Sequence, residues 1–399
     1  MKFRIKGLIP VFPLILCSFV LTSNLNTAQI DQKGQELQHD AIAINIEVPV
    51  RVFTKGKFVE ELSINDFEVY EDGVLQKVEA LYLVKKTVID REETELDKKS
   101  ARRIYLPEVS RTFVLVFEMM DYFPKIRDTL QYFFEHVFLP DDSLYVVTPL
   151  KTYSFKKEFF EKTPTDVIVN QLKEKLLKDI KLAAREWKSM IRDLEWLASM
   201  DNAEAIRAGQ NILRQIRDFR YFDEKKLLGF RDQIKDIEGQ KYVFLFFQKK
   251  IVPIPPDFGE LDDLDDLIRP TISFNVDKVK EAFSDSLISV HFIFITKTEP
   301  HHIDLYRMNP AEGGGLQLVD QSAELFGAFH EMAEATGGIT DSSANVAASF
   351  ERAAIASENY YLLYYTPKNY VADGRFRNIK VKVKGKNYRV THRVGYIAD

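Results

Sequence analysis

The sequence predicts an α/β protein: a mostly parallel sheet covered by helices, accompanied by a β-sandwich built from the N- and C-terminal segments. Three observations predict it. Thr112–Phe117 and Lys241–Phe247 are apolar almost throughout, as expected of strands covered on both faces. Segments of helical spacing separate such runs, as a parallel sheet requires. Both ends of the chain instead alternate apolar with polar residues, the period of a half-buried strand.

The first residues read as a leader. Lys2, Arg4 and Lys6 precede an apolar stretch from Leu8 to Leu21, and Ser18, Thr22, Ser23 and Ala28 are small residues suited to cleavage. That pattern predicts a secretory signal peptide over 1–28. An uncleaved anchor is the alternative, but the stretch is short for a span of about 20 residues and contains Pro10 and Pro13. The expected location is outside the cytoplasm: periplasm, cell envelope or secreted. The single cysteine, Cys17, follows Leu16, where a lipoprotein signal would place a small residue, so lipidation is disfavoured. Without Cys17 there is no thiol for disulfides, thiolate catalysis or cysteine-ligated metal. A net charge of −5 gives no global basic field and argues against nucleic acid as a partner.

The β elements come next. Ile42, Ile44, Ile46, Val48, Val50 and Val52 share one strand face, and Pro49, which lacks a ladder donor, suggests an edge or a bulge. Asp66–Tyr70 and Val78–Val84 are further strands. Residues 86–110 are charged and aperiodic, which predicts a linker. At the far end Tyr360–Tyr365 is a strand stopped by Pro367, and Phe376–Val383 and Tyr388–Val394 are expected to form a hairpin around Gly385. Residues 41–85 and 358–397 are expected to make one Ig-like β-sandwich, since neither segment alone buries a full core. Two separate small modules are the alternative.

Residues 111–342 carry the α/β pattern. Arg111–Phe117, Ser143–Val147, Thr152–Phe155, Lys241–Phe247 and Leu287–Ile295 read as strands. Ile126–Val137, Val276–Phe283 and Leu325–Ala335 read as helices, the last closed by Gly337-Gly338. A long helical tract spans 165–238, with a break near Ser199–Asn202. Ile168, Leu172, Leu176, Ile180, Ala183, Trp187, Ile191, Leu194 and Leu197 form its first apolar stripe. Lys173, Glu174, Lys178, Asp179, Arg185 and Glu186 are expected to solvate the rest. The tract either covers the sheet or protrudes as a hairpin that grips a partner.

Three segments carry a resemblance. They are Leu62–Gly73 with Gln76-Lys77, Arg111–Phe117, and Tyr361–Pro367 followed by Asp373–Arg377, Ile379–Val383 and Arg393–Tyr396. On these the chain resembles the bacterial VWFA-related domain proteins, von Willebrand factor type A-like proteins of acidobacterial type. The resemblance implies export, a VWFA-like fold over 111–342, and adhesion-type protein binding.

In such domains a divalent cation sits at the C-terminal edge of the sheet, held by an Asp-x-Ser-x-Ser loop after the first strand and by a Thr and an Asp from later loops. Here the corresponding loop reads Glu118-Met-Met-Asp-Tyr122. Glu118 stands at the first Asp, Met120 and Tyr122 at the two serines, and Gln248 at the later Asp; the Thr has no convincing match. A hard cation prefers oxygen ligands, so the expectation is a vacated, degenerate metal site and no cofactor. A weak divalent cation at Glu118 and Asp121 stays open. Glu118, Met120, Asp121, Tyr122 and Gln248 are the candidate partner-binding residues, on loops presented by a rigid scaffold.

The remaining motifs favour plainer readings. Glu260–Asp266 lacks the Gly and the closing Glu of a calcium loop. His301-His302 and His330 with Glu331 and Glu334 do not complete a zinc motif. Gly313–Gly315 lacks the strand, helix and Lys of a phosphate loop. Arg375, Arg377, Lys380, Lys382, Lys384, Lys386, Arg389 and Arg393 read as a charged outer strand face, or else as a basic strip for an acidic partner. No catalytic residues are expected. The expected function is that of an exported, non-catalytic protein-binding protein with no membrane span in the mature chain. The alternative is a cell-envelope structural or assembly factor acting through 165–238, and an envelope hydrolase is the third and weakest class.

Overall fold

A computed structural model describes residues 44–94, 107–155, 157–198, 200, 202–220, 224–248, 251–254, 274–296, 317–320, 322–385 and 387–399. The leader and Cys17 lie outside these residues, as do Asp201, the acidic cluster 260–266, His301-His302, Gly313–Gly315 and Lys386. Asn45–Asp399 forms one unit.

The N-terminal strands are β1 (Ile46–Thr54), β2 (Lys57–Phe58), β3 (Phe67–Glu71), β4 (Val74–Gln76), β5 (Ala80–Lys85) and β6 (Val88–Thr94). Then follow β7 (Arg111–Glu118), α1 (Lys125–Tyr132), β8 (Ser143–Val147), β9 (Thr152–Phe155), α2 (Lys157–Lys162), α3 (Thr165–Ala198), α4 (Ala203–Arg220) and α5 (Glu224–Ile234). The second half of the α/β region holds β10 (Gln240–Gln248), β11 (Ile251–Ile254), α6 (Val276–Asp285), β12 (Ile288–Ile295), β13 (Gln317–Asp320), α7 (Ser322–Ala335), β14 (Thr340–Ser343) and α8 (Val346–Ala354). The chain ends in β15 (Asn359–Tyr365), β16 (Phe376–Val383), β17 (Arg389–His392) and β18 (Gly395–Ile397).

Strands from both ends share two antiparallel sheets, ordered β17-β1-β15-β5-β6 and β18-β16-β3-β4. The sheets face each other through the Tyr361 ring, 5.1 Å from that of Phe67. The Tyr365 hydroxyl also donates to the Glu71 carboxylate at 2.6 Å. Pro49 lies in a strand with neighbours on both sides, but β17 covers β1 only from Val50 onward. The Glu47 carbonyl on that side accepts from Arg393 at 2.6 Å. By the two-residue period the missing N–H of Pro49 points to the same short open edge, where it breaks no ladder bond.

Three expectations need correction here. Residues 88–94 are not linker but the edge strand β6, paired to β5 with a register shift at Leu83/Val84. Its charges stay on the solvent side, where Asp90 meets Lys85 at 3.1 Å, as suits an edge strand. The strands either side of Gly385 do not pair with each other: β16 joins β3 and β18, whereas β17 crosses to β1. Arg393 is not on the outer face; it is 7% exposed.

The α/β sheet runs β14-β12-β10-β7-β8-β9, parallel except for the edge strand β9. Its central strands β7, β10 and β12 are apolar on both faces because both are covered. Phe113, Leu115, Phe117, Tyr242, Phe244 and Phe246 pack against α1, α3 and α8, while Val114, Val243, Leu245, Phe247 and Phe292 pack against α5, α6 and α7. The α/β layer continues beyond residue 342, for β14 extends the sheet and α8 inserts Phe350 into the core. Gly337 takes a φ of +74° after α7, and Gly338 donates to Ala333 at 2.8 Å, closing the helix as its glycines predict.

The helical tract divides into α3, α4 and α5. Asp179 is not solvated: it is 1% exposed and accepts from Thr148 at 3.0 Å and Tyr153 at 2.7 Å, tying α3 to the β8–β9 edge. The sandwich and the α/β layer meet along a seam of buried arginines. Arg51 of β1 donates to the carbonyls of Ala356 and Gly337. Arg393 reaches the carbonyls of Ser284 and Asp285, and Arg111 of β7 reaches that of Ser357.

Candidate functional site

The chain leaves β7 toward β8 and β9 on one side, then returns to β10, β12 and β14 on the other. Strand order therefore reverses between β7 and β10. At such a switch point the following helices depart to opposite faces and leave a crevice outside the carboxyl ends of the strands. Glu118 ends β7, Met119–Tyr122 follow it and Gln248 ends β10, so the candidate residues meet at that crevice. The placement follows from sheet order and stands independently of the resemblance.

Gln248 spans the crevice. Its side-chain carbonyl accepts from the backbone N–H of Met120 at 2.9 Å and of Asp121 at 3.0 Å. Its amide nitrogen donates to the Asp121 carboxylate at 2.8 Å. One neutral amide thus fixes the loop, doing by hydrogen bonding what a bound ion would do by charge. Gln248 is 2% exposed and Met120 8%, so both hold the loop rather than face a partner. Glu118, Asp121 and Tyr122 are half-buried and form the presented edge. The Tyr122 hydroxyl oxygen is buried without a hydrogen-bond partner. Burial pushes its pKa up to about 12, with Asp128 adding to the rise and Arg127 opposing it, so the phenol stays neutral.

Three of the five candidates are poor ligands for a hard dication. The Gln248 amide is fully engaged, Met120 offers sulfur, and the Tyr122 phenol resists ionisation.

No family model and no curated protein matches the chain. Among solved structures, the human COPII-coat protein Sec24c is similar over 73% of this chain and 43% of that chain, with 7% identity and a TM-score of 0.28. The chain therefore spans less than half of that protein's length, and at that TM-score the overlap does not define a shared fold.

Two of the other sequence candidates fall among the described residues. His330 is within 3.0 Å of the Thr340 hydroxyl and 3.6 Å of Glu334, while Glu331 lies 3.9 Å from Lys280, a surface arrangement. Among the described residues no group of three or more His, Cys, Asp or Glu is placed to hold a metal, and no helix is long and apolar enough to cross a membrane. Lys380 and Lys382 are exposed on β16, with the Lys382 ammonium 4.8 Å from the centre of the Tyr70 ring.

Sequence reasoning missed the buried polar groups. Arg51 and Arg111 are fully buried, and Arg111 grips Asp142 with contacts of 3.0 and 2.6 Å. His291 is fully buried beside Phe244, ring centres 4.7 Å apart, and neither ring nitrogen has a partner. Nothing in the sequence separates these residues from ordinary strand polars.

Proposed function

We propose that this chain is an exported, non-catalytic binding protein of VWFA-like architecture that recognises a protein partner at the β7–β10 crevice without a metal. The Gln248 clamp carries the reading: it holds the half-buried Asp121 carboxylate on a rigid loop at a switch point, where ligand contacts concentrate. The strand order, with its single antiparallel edge strand β9, supports the A-type comparison. Recognition there relies on shape and on the Glu118 and Asp121 charges rather than on an ion completed by the partner.

The test is capture of partners from envelope extract by the wild type and by a Glu118→Lys/Tyr122→Ala variant, with and without chelator. Capture that survives chelation and falls at least tenfold in the variant supports the proposal. Capture abolished by chelation overturns it.

A second reading, an envelope assembly factor acting through the helical tract, has its own support. Ile168–Ile180 of α3 belong to the core under the sheet, but Trp187, Ile191, Leu194 and Leu197 are buried outside that core, where α3 packs on α4. A hairpin of that kind offers a surface made of residues other than those of the crevice. Loss of capture on hairpin removal, with the crevice variant unaffected, favours this second reading.

A further inference from the structure

One line on the outer face of α3, from Lys178 to Arg192, is charged in one sense. Lys178, Lys181, Arg185, Lys188 and Arg192 recur at steps of three and four residues, and all five are exposed. On a helix that spacing makes one straight stripe about 21 Å long. It lies opposite the buried line of Leu176, Ile180, Ala183, Trp187, Ile191 and Leu194. Among the described residues none of the five is drawn into an ion pair, whereas neighbouring Lys173 meets Glu174 at 3.7 Å. Exposed Glu174, one turn before Lys178, bounds the stripe at its start, and Glu186 and Asp193 lie on one flank.

Two large apolar side chains lie beside the stripe, Leu182 on the flank that also carries Glu186 and Asp193. Leu182 is 37% exposed, and Trp196, one turn past Arg192, is 61% exposed. An exposed tryptophan at the end of a basic helix face is costly in water and suited to a headgroup boundary, where aromatic rings settle and lysine stems reach outward. The stripe is also local. The chain as a whole carries a charge of −5, so the positive field is confined to this stripe.

We propose that the outer face of α3 docks on an anionic lipid surface, with the five cations on phosphate headgroups and Trp196 at the interface. A flat array of mobile negative charge matches a straight stripe, each basic residue adds to the attraction within a Debye length, and the flanking apolar groups add a contribution that a soluble polyanion would not provide. The surface is separate from the β7–β10 crevice, and the proposal does not depend on what binds there.

Co-sedimentation of the full chain with vesicles of phosphatidylglycerol mixed with phosphatidylcholine, against phosphatidylcholine alone, tests it. The expected result is binding to the anionic vesicles only, released by raised salt, with a blue shift of Trp196 emission that is absent in Trp196→Phe. A variant with Lys178, Lys181, Arg185, Lys188 and Arg192 all changed to Gln, its fold checked by circular dichroism, is expected to bind at least tenfold more weakly. Equal binding by wild type and variant overturns the proposal. So does absence of binding to anionic vesicles, including the case in which the chain instead binds a soluble polyanion such as dextran sulfate through the same cations.

Discussion

Gln248 and Asp121 are joined across the β7–β10 crevice by a hydrogen bond of 2.8 Å, while the same amide's oxygen accepts from the Met120 and Asp121 backbone. Removing the amide strands two donors and a carboxylate at a largely buried position. Gln248→Leu is expected to cost about 1–3 kcal/mol in denaturant unfolding. Gln248→Glu places a second carboxylate against Asp121 and is expected to destabilise more at pH 7 than at pH 4. Unchanged midpoints in both variants would remove the clamp from the account.

His291 sets an acid limit. Burial, and then the Arg51 charge, push its ring down to about 3 from 6.5, so it stays neutral in the folded chain. The unfolded chain takes up that proton below about 6.5, and stability falls as pH drops toward 3, by up to roughly 1.4 kcal/mol per pH unit. His291→Phe removes two unpartnered nitrogens beside Phe244. It is expected to leave Tm at pH 7 unchanged or raised and to flatten the loss between pH 6 and pH 4. A variant with the wild-type acid slope would contradict this.

Arg111 and Asp142 form a buried pair, both side chains 0% exposed. Arg111→Met strands the carboxylate and is expected to cost about 3–5 kcal/mol. Adding Asp142→Asn removes the stranded charge while keeping an acceptor for the Leu139 N–H, which now bonds Asp142 at 2.7 Å. The double variant is expected to regain part of the loss, and a double-mutant cycle with no coupling would argue against the pair.

Gly338 has no room for a side chain: a Cβ there would lie 1.9 Å from the Val290 carbonyl oxygen. Gly338→Ala is expected to lower stability by about 1–3 kcal/mol through forced backbone movement, read as a fall in Tm.

The central strands were legible because burial on both faces leaves continuous apolar runs, as in β7 and β10. β14 was not, since Thr340–Ser343 is a polar edge strand. β6 was hidden by its charges, which an edge strand tolerates and a linker also carries. The separate destinations of β16 and β17 were out of reach, because two alternating strands around a glycine look alike whether they pair or part. At the crevice the sequence named the residues on the two strand ends, but only the register of β7 with β10 brings the Gln248 amide to the loop. Asp179 and His291 were misjudged or missed because a polar side chain's partners, or their absence, come from elements distant in sequence.

The middle strand β1 has mechanical consequences. It is laced to β15 along Ile46–Val50 and to β17 along Val50–Phe53, so both chain ends are stitched into one sheet. β1 and β17 run antiparallel, so the segment before Ile46 and the chain beyond His392 leave this ladder at the same end, and tension between them would peel it open pair by pair rather than shear it. The ladder that yields first under such a load belongs to the sandwich, not to the sheet that carries Gln248.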